Sequence, residues 1–517
     1  MPAHRLASLP QALISLTRPI NWNATRLTFK EAYGIFHRSL DPVAHKLIEN
    51  VFAVSADQDR LHFAEQYATL VLGVTDLSDA KWFRRGVWVK ETVPTTKYVE
   101  QRDHSVHTLH NYLLGWYFLV NSSLVRRQFQ RAFAARGMRT NAGSLIAQFG
   151  EVWCFASLLH DIGYLFEGML PKESMALVDE GVRDGAKWAN EYFQEVFWDE
   201  LNVRSVDERK ALRKLTGITP DHLAEGGAGT IVQFLKDLGP LNDLGAAIDS
   251  ELHGSFSNQF PLPSDAISIW AAHYRAFGQE SMARRMEGLE RALYGLVKDG
   301  IPGIPVRVLD HGVAGGLLLL KGSTHWFKFI FALKNANPPK GSKEARLRRR
   351  VLPLLKLDDY FAEHWWKSIV WTTAAVAIHN IQQGRRAPEW KMGGKLTIAE
   401  DPLAYLGILV DILQEWDRHS TRRIRSIEEG LRRINSGDVR IGKTARGRIA
   451  IVYGCRDENH RTRLSNMRRA LDQALHDWEK IVTIRFEPSD ARASPRVYRR
   501  RARRSSARSR ALRPRYG

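Results

Sequence analysis

The residues best placed to do chemistry are His160 and Asp161 in FASLLHDIGYLFEG (155–168), where two ionisable side chains end an apolar helical run and precede Gly163. Burying them beside Leu158, Leu159 and Ile162 is costly unless something compensates their polarity. A divalent cation would do so, since an imidazole nitrogen and a carboxylate oxygen on neighbouring residues suit borderline metals such as Mn, Fe, Ni or Zn. The dipeptide by itself also fits an ordinary His-Asp pair near a helix C-terminus.

Upstream, RDHSVHTLHNYLLGWYFL (102–119) sets His104, His107 and His110 three apart on one predicted helix, with His107 in the middle. Residues three apart share a face and drift by about 60° per step, so the three form a slanting stripe. A satisfied surface stripe is the plainer account of it. Downstream, DPLAYLGILVDILQEWDR (401–418) embeds Asp411 among Leu409, Val410, Ile412 and Leu413. An unpaired aspartate there would be expensive, although an Arg or a helix N-terminus elsewhere would also compensate it.

A histidine followed by Thr on one helix (His107-Thr108, then NYLLG), the string LLHDIG, and an aspartate in LVDILQEWDR together resemble the H…HD…D signature of HD-domain metal-dependent phosphohydrolases. The resemblance covers roughly residues 96–425, with long insertions, and rests mostly on LLHDIG. It implies an all-α bundle, His107, His160, Asp161 and Asp411 as ligands of one or two divalent ions (Mn, Fe, Ni, Zn or Mg), and phosphoester hydrolysis by a metal-activated water. The two-metal branch of that family carries further histidines before the final aspartate. Here His311 in DHGVAGGLLLLKG (310–322) and His379 in AAVAIHNIQ (374–382) fill that place, and His273 is a weaker third. A lone histidine in an apolar run is also an ordinary core or cap residue. There is no GYP motif and no adjacent His-His pair, so the resemblance does not extend to cyclic-dinucleotide hydrolysis. Arg102 and Lys321 are candidate cations for a phosphoryl transition state, and Asp103 and Asp310 candidate carboxylates to orient ligating imidazoles.

The elements that must position these residues follow from the rest of the chain. At 517 residues more than one folded unit is expected, and 44% hydrophobic content with 15 Trp supplies ample core. The expected class is mainly α. An N-terminal helical extension (1–95) includes periodic segments at 27–40 and 61–74, and the HD-type helical bundle spans 96–425. A small C-terminal β-α-β appendage follows at 436–488, with strand-like RIAIVYG (448–454) and IVTIRFE (481–487) around a helix over 460–480. Segments 165–174, 254–265 and 334–350 read as loops from their Pro, Gly and charge, and GVAGG (312–316) lacks what a phosphate-binding loop needs.

Two cysteines, Cys154 and Cys455, exclude a disulfide framework and a thiolate zinc site. With no apolar leader at the N-terminus and no run of about 18 apolar residues, a cytoplasmic location without a transmembrane segment is expected. The formal charge is +20, of which residues 489–517, with eleven Arg against one Asp, hold +10. That tail is expected to be disordered, either a binding arm for nucleic acid, ribosomes or acidic membrane through phosphate neutralisation or a solvated segment with no function of its own. Together with KGSKEARLRRR (340–350) it tilts the expected substrate toward a nucleotide or nucleic acid. Two rival readings stand beside the phosphohydrolase: a non-catalytic HD-fold ligand-binding or regulatory protein, and a nucleic-acid-associated scaffold acting through its basic tail.

Overall fold

The computed structural model describes residues 6–16, 41–54, 57–74, 104–162, 169–170, 202–203, 205–216, 266–298, 306–307, 311–313, 315–316, 319–320, 332–355, 365–383, 394–417, 434–455 and 458–488. Arg102, Asp103, Asp310, Lys321, the periodic segment 27–40 and the Arg-rich tail lie outside them. The protein is mostly helical, with a small four-stranded sheet. In chain order the elements are β1 (Ala7–Ser8), α1 (Leu9–Leu16), α2 (Asp41–Ala53), α3 (Asp57–Val74), α4 (His104–Asn121), α5 (Ser123–Ala135) and α6 (Ala142–Leu158). Then come β2 (Met169–Leu170), α7 (Val206–Thr216), α8 (Ala266–Ala276), α9 (Glu280–Lys298), β3 (Val306–Arg307) and α10 (Lys343–Val351). The chain continues through α11 (Val370–Gln383), α12 (Pro402–Leu413), β4 (Val439–Lys443), β5 (Ile449–Cys455), α13 (Glu458–Ala474) and β6 (Val482–Pro488).

Four helices, α4, α6, α11 and α12, pack on one another at the centre. Every residue of α4 from His104 to Leu119 is buried, so the histidine stripe is an interior feature and not a surface one. A helix apolar or enclosed all round belongs in a core, and α4 is wrapped by α1, α3, α5, α6 and α12. Trp153 donates from its indole to the Tyr112 carbonyl (2.9 Å), and Phe149 makes edge contacts with Trp116 and Phe129 at 4.7 and 4.9 Å.

Helix α12 is fixed at both ends. Asp401 caps it, accepting from Leu403 N (2.8 Å) and Ala404 N (3.0 Å), with Pro402 at the first helical position. The same carboxylate accepts from the Tyr274 hydroxyl and the Trp371 indole at 2.5 and 3.0 Å, tying α12 to α8 and α11. Arg136, almost fully buried, lies over the Trp371 ring at 3.7 Å and offsets part of that buried charge. Beyond Leu413 the chain leaves the helix.

The sheet grips that far end. Its order is β1-β4-β5-β6, with β4 and β5 antiparallel and β5 and β6 parallel across the crossover helix α13. The β-α-β unit expected from the sequence is therefore present, extended by β4 and by β1, which pairs Ala7 with Ile441. Tyr453 donates to the Leu413 carbonyl (2.7 Å), and Asp417, at φ 53°, accepts from Ser436 N (3.1 Å). Two loop expectations are corrected. Lys343–Val351 is a helix capped by Ser342, which accepts from Ala345 N at 3.0 Å, and Met169–Leu170 forms a strand with Val306–Arg307. No helix among the described residues is long and apolar enough to cross a membrane.

Candidate metal centre

Where α4, α6, α11 and α12 meet, six side chains from distant parts of the chain converge: His107, His160, Asp161, His311, His379 and Asp411. His160 and Asp161 sit on the turn that ends α6, closed by Ile162 N donating to the Leu159 carbonyl at 3.2 Å. His107 comes from the middle of α4 and Asp411 from the last turn of α12. His379 lies on α11, and His311 opens the helical residues 311–313 and 315–316 beside it. That approach depends on glycine. A Cβ on Gly316 would stand 2.7 Å from the Thr373 carbonyl oxygen, and one on Gly312 would stand 2.9 Å from His379 Nδ1.

Apart from His107 Nε2 and Asp411 Oδ1 at 2.6 Å, the distances suit a shared ion better than direct hydrogen bonds. His160 Nε2 is 3.3 Å from Asp161 Oδ1 and 3.7 Å from Asp411 Oδ1. Asp161 Oδ1 is 3.7 Å from His311 Nε2 and 4.0 Å from His379 Nε2, while Asp161 Oδ2 is 3.9 Å from His107 Nε2. Atoms bound about 2.0–2.2 Å from one ion stand about 3.0 Å apart at right angles and about 4.2 Å apart across it. Three trios have their ligand atoms within 4.8 Å of one another: His107/His160/Asp161, His160/His379/Asp411 and Asp161/His311/His379.

The ring tautomers point the same way. His160 and His379 each donate from Nδ1 to a backbone carbonyl, of Ser157 and Val376, both at 2.7 Å. A carbonyl only accepts, so Nδ1 carries the proton and the neutral ring keeps its Nε2 lone pair for the centre. Both Nε2 atoms are buried without a hydrogen-bond partner. For His107 the same work falls to Gln414. Its amide nitrogen donates to the Trp416 carbonyl (2.5 Å), which leaves Oε1 to accept from His107 Nδ1. His107 Nε2 then faces Asp411 Oδ1 at 2.6 Å, two acceptors that need a proton or a cation between them.

Charge completes the picture. Burial alone would raise the Asp161 carboxyl, but His160 and His104 hold it well below the usual range; Asp411 is held down likewise by His107 and His160. His160 is raised by Asp161 and Asp411 against the effect of its burial. His379 is pushed down to about 3 by burial and by His160 and His311, so it is a neutral imidazole. With the imidazoles neutral, as ligands to an ion must be, the two buried carboxylates carry a formal −2, which one divalent ion balances; without an ion, the raised His160 takes up part of that charge as a proton.

Three neighbours were not assigned from sequence. His104 donates from Nδ1 to Asp161 Oδ2 (3.0 Å), orienting that carboxylate, and Gln414 orients His107. Asn111 places its amide nitrogen 3.1 Å from His107 Nε2 and 3.4 Å from Asp411 Oδ1. For Asn111 the signal was present, since it is four residues after His107 on the same helix face; Gln414 is the residue just past the end of α12, and no local spacing ties it to His107. His273 lies elsewhere, next to Arg136 Nη2 (3.4 Å) and the Trp366 ring, held neutral by burial and the guanidinium. Cys154 is a buried free thiol. No family model matches the chain, and no curated protein or solved structure matches it either.

Proposed function

We propose that the protein is an HD-type metal-dependent phosphohydrolase, cleaving a phosphoester of a nucleotide or nucleic acid. The observation that carries this reading is that His107, His160 and Asp161 form one close trio and Asp411 joins His160 in a second, with the Nδ1 protons of His107 and His160 turned away from the centre. These are the residues in which the sequence resembles the HD signature, and their donor set suits a divalent ion of the Mn, Fe, Ni or Zn kind. Such an ion, when bound, supplies Lewis acidity and an acidified water. The chain's part is to hold the donors: Ser157 O, Val376 O and Gln414 fix ring tautomers, and His104 fixes Asp161. His311 and His379 extend the set on the far side of Asp161, so that its carboxylate stands between two groups of imidazoles. A second divalent ion would take the centre from neutral to +2, a charge that a phosphate dianion complements. Purified protein with Mn²⁺, Ni²⁺ or Mg²⁺ is expected to hydrolyse phosphoesters, nucleotides or single-stranded DNA, and His160→Ala and Asp161→Ala to abolish it. Equal release by parent and variants refutes the reading.

A second reading, a non-catalytic HD-fold protein that keeps the ion for structure or regulation, is favoured by enclosure. The side chains of His107 and Asp161 are 6% and 5% exposed, and only Asp411 reaches 16%. Full metal content with no turnover on any of these substrates would select it.

A further inference from the structure

Away from the centre, helices α7 and α10 pack together and concentrate positive charge. Residues 205–216 and 332–351 hold eleven Lys and Arg against Asp207, Glu208 and Glu344, a net of +8 out of the chain's +20. The three carboxylates all serve to join the two helices. Lys343 pairs with Asp207 (3.6 Å), Lys214 with Glu344 (3.7 Å) and Arg350 with Glu208 (2.8 Å). Arg348 works internally, donating to the Leu333 and Lys334 carbonyls at 2.9 and 2.6 Å. Leu347 and Val351 face the interior at 4% and 0% exposure, so the outer face of α10 is cationic. Lys210, Lys340, Arg346 and Arg349 are exposed and have no carboxylate partner among the described residues.

Arginines in a last helical turn are explained by the helix dipole. That covers Arg348, Arg349 and Arg350 but not Lys210, Lys340, Lys343 or Arg346. From Lys343 to Arg350 the helix rises about 10 Å, the span of about three successive phosphates on one DNA strand. Guanidinium groups match phosphate oxygens in a planar fork. A membrane surface would need several apolar side chains beside the cations to insert; those of α10 point inward, and on α7 only Val206 is exposed among the large apolar side chains described. No aromatic residue occurs in 205–216 or 332–351 to stack on bases.

We infer that the α7–α10 face is a nucleic-acid-binding surface that grips the phosphate backbone without reading base sequence. It stands on observations separate from the metal centre and holds whether or not that centre turns over a phosphoester.

The test uses the full-length protein and fluorescein-labelled 30-mers, one single-stranded and one duplex, each of two unrelated sequences, titrated between 50 and 300 mM KCl. Lys340→Gln/Arg346→Gln/Arg349→Gln is expected to weaken binding at 100 mM KCl by about tenfold or more, alike for both sequences. The slope of log K against log salt should shrink by about two to three, near 0.9 for each phosphate no longer neutralised. Asp207→Asn/Glu208→Gln, which makes the face two charges more positive, is expected to tighten binding and steepen the slope. That second variant separates weakened phosphate binding from unfolding: if it fails to tighten while its melting temperature is parental, the inference falls. It also falls if the triple variant keeps parental affinity and slope, or if, in a parallel arm with phosphatidylserine vesicles, that variant loses only its binding to the vesicles.

Discussion

Replacing Gln414 by Leu keeps the bulk of the side chain but removes the acceptor that fixes His107 and the donor that fixes Gln414 itself. Gln414 is 1% exposed, so water cannot take over. His107 Nδ1, His110 Nδ1 and the Trp416 carbonyl each lose a partner at once. At about 1–3 kcal/mol for each buried polar group left unpaired, and with some relaxation, the metal-free protein should lose about 3–5 kcal/mol. The more telling effect is on the ion. Once Nδ1–H has no acceptor, the ring is free to turn or change tautomer, and metal affinity should fall about 10- to 100-fold. Gln414→Glu restores an acceptor to Nδ1 without the donor to Trp416, so it should recover part of the metal affinity while remaining destabilised. A chelator-competition titration with Zn²⁺ or Mn²⁺, run beside a urea melt of the metal-free forms, reads both quantities. Parental affinity in Gln414→Leu, or a Glu variant that binds metal no better than Leu, would refute the tautomer argument.

Gly316→Ala forces a Cβ to within 2.7 Å of the Thr373 carbonyl, so the helical residues carrying His311 must back away from α11. Stability should fall by about 1–3 kcal/mol, and metal affinity should weaken less than in His160→Ala, as a metal titration of both variants will show. Asp401→Ala removes the cap of α12 and leaves buried Arg136 without its countercharge. Its cost should be about 3–5 kcal/mol, and a urea melt with less than 1 kcal/mol of change would contradict the role given to that network. His273 is held neutral, well below its ordinary 6.5, by burial and by the Arg136 guanidinium. A depressed histidine stabilises the fold above 6.5, and that contribution is lost as pH falls through the lower folded-state value. His273→Gln should therefore narrow the stability difference between pH 7.5 and pH 5, and an unchanged difference in denaturant midpoint tells against it.

How much of this was legible beforehand depends on how local each signal is. His160-Asp161 and Asp411 stood out because charge inside an apolar helical run demands compensation within the same few residues. The slant of the histidine stripe was legible too, and its geometric consequence is visible: His104 meets Asp161, His107 faces the centre, and His110 turns to Gln414 and stacks on Phe52 at 5.3 Å. Whether that stripe faced solvent was not legible, because the burial of α4 comes from five other helices scattered along the chain. Gln414 escaped notice because its role depends on a partner 307 residues away and on the orientation of one amide. The helix α10 was hidden behind Pro338, Pro339 and Gly341, strong loop signals that end at the Ser342 cap. The two-residue strand β1 is too short to carry a period, yet it completes the sheet that holds the end of α12.

The central claim is that four side chains close around a metal ion. Elemental analysis of the full-length protein, purified after saturation with Mn²⁺ or Zn²⁺ and exhaustive desalting, tests it most directly. The account predicts at least one equivalent of metal per chain in the parent and near-stoichiometric loss in His160→Ala, Asp161→Ala and Asp411→Ala proteins that remain folded. Metal-free parent protein, or variants that retain the parental metal content, would contradict it.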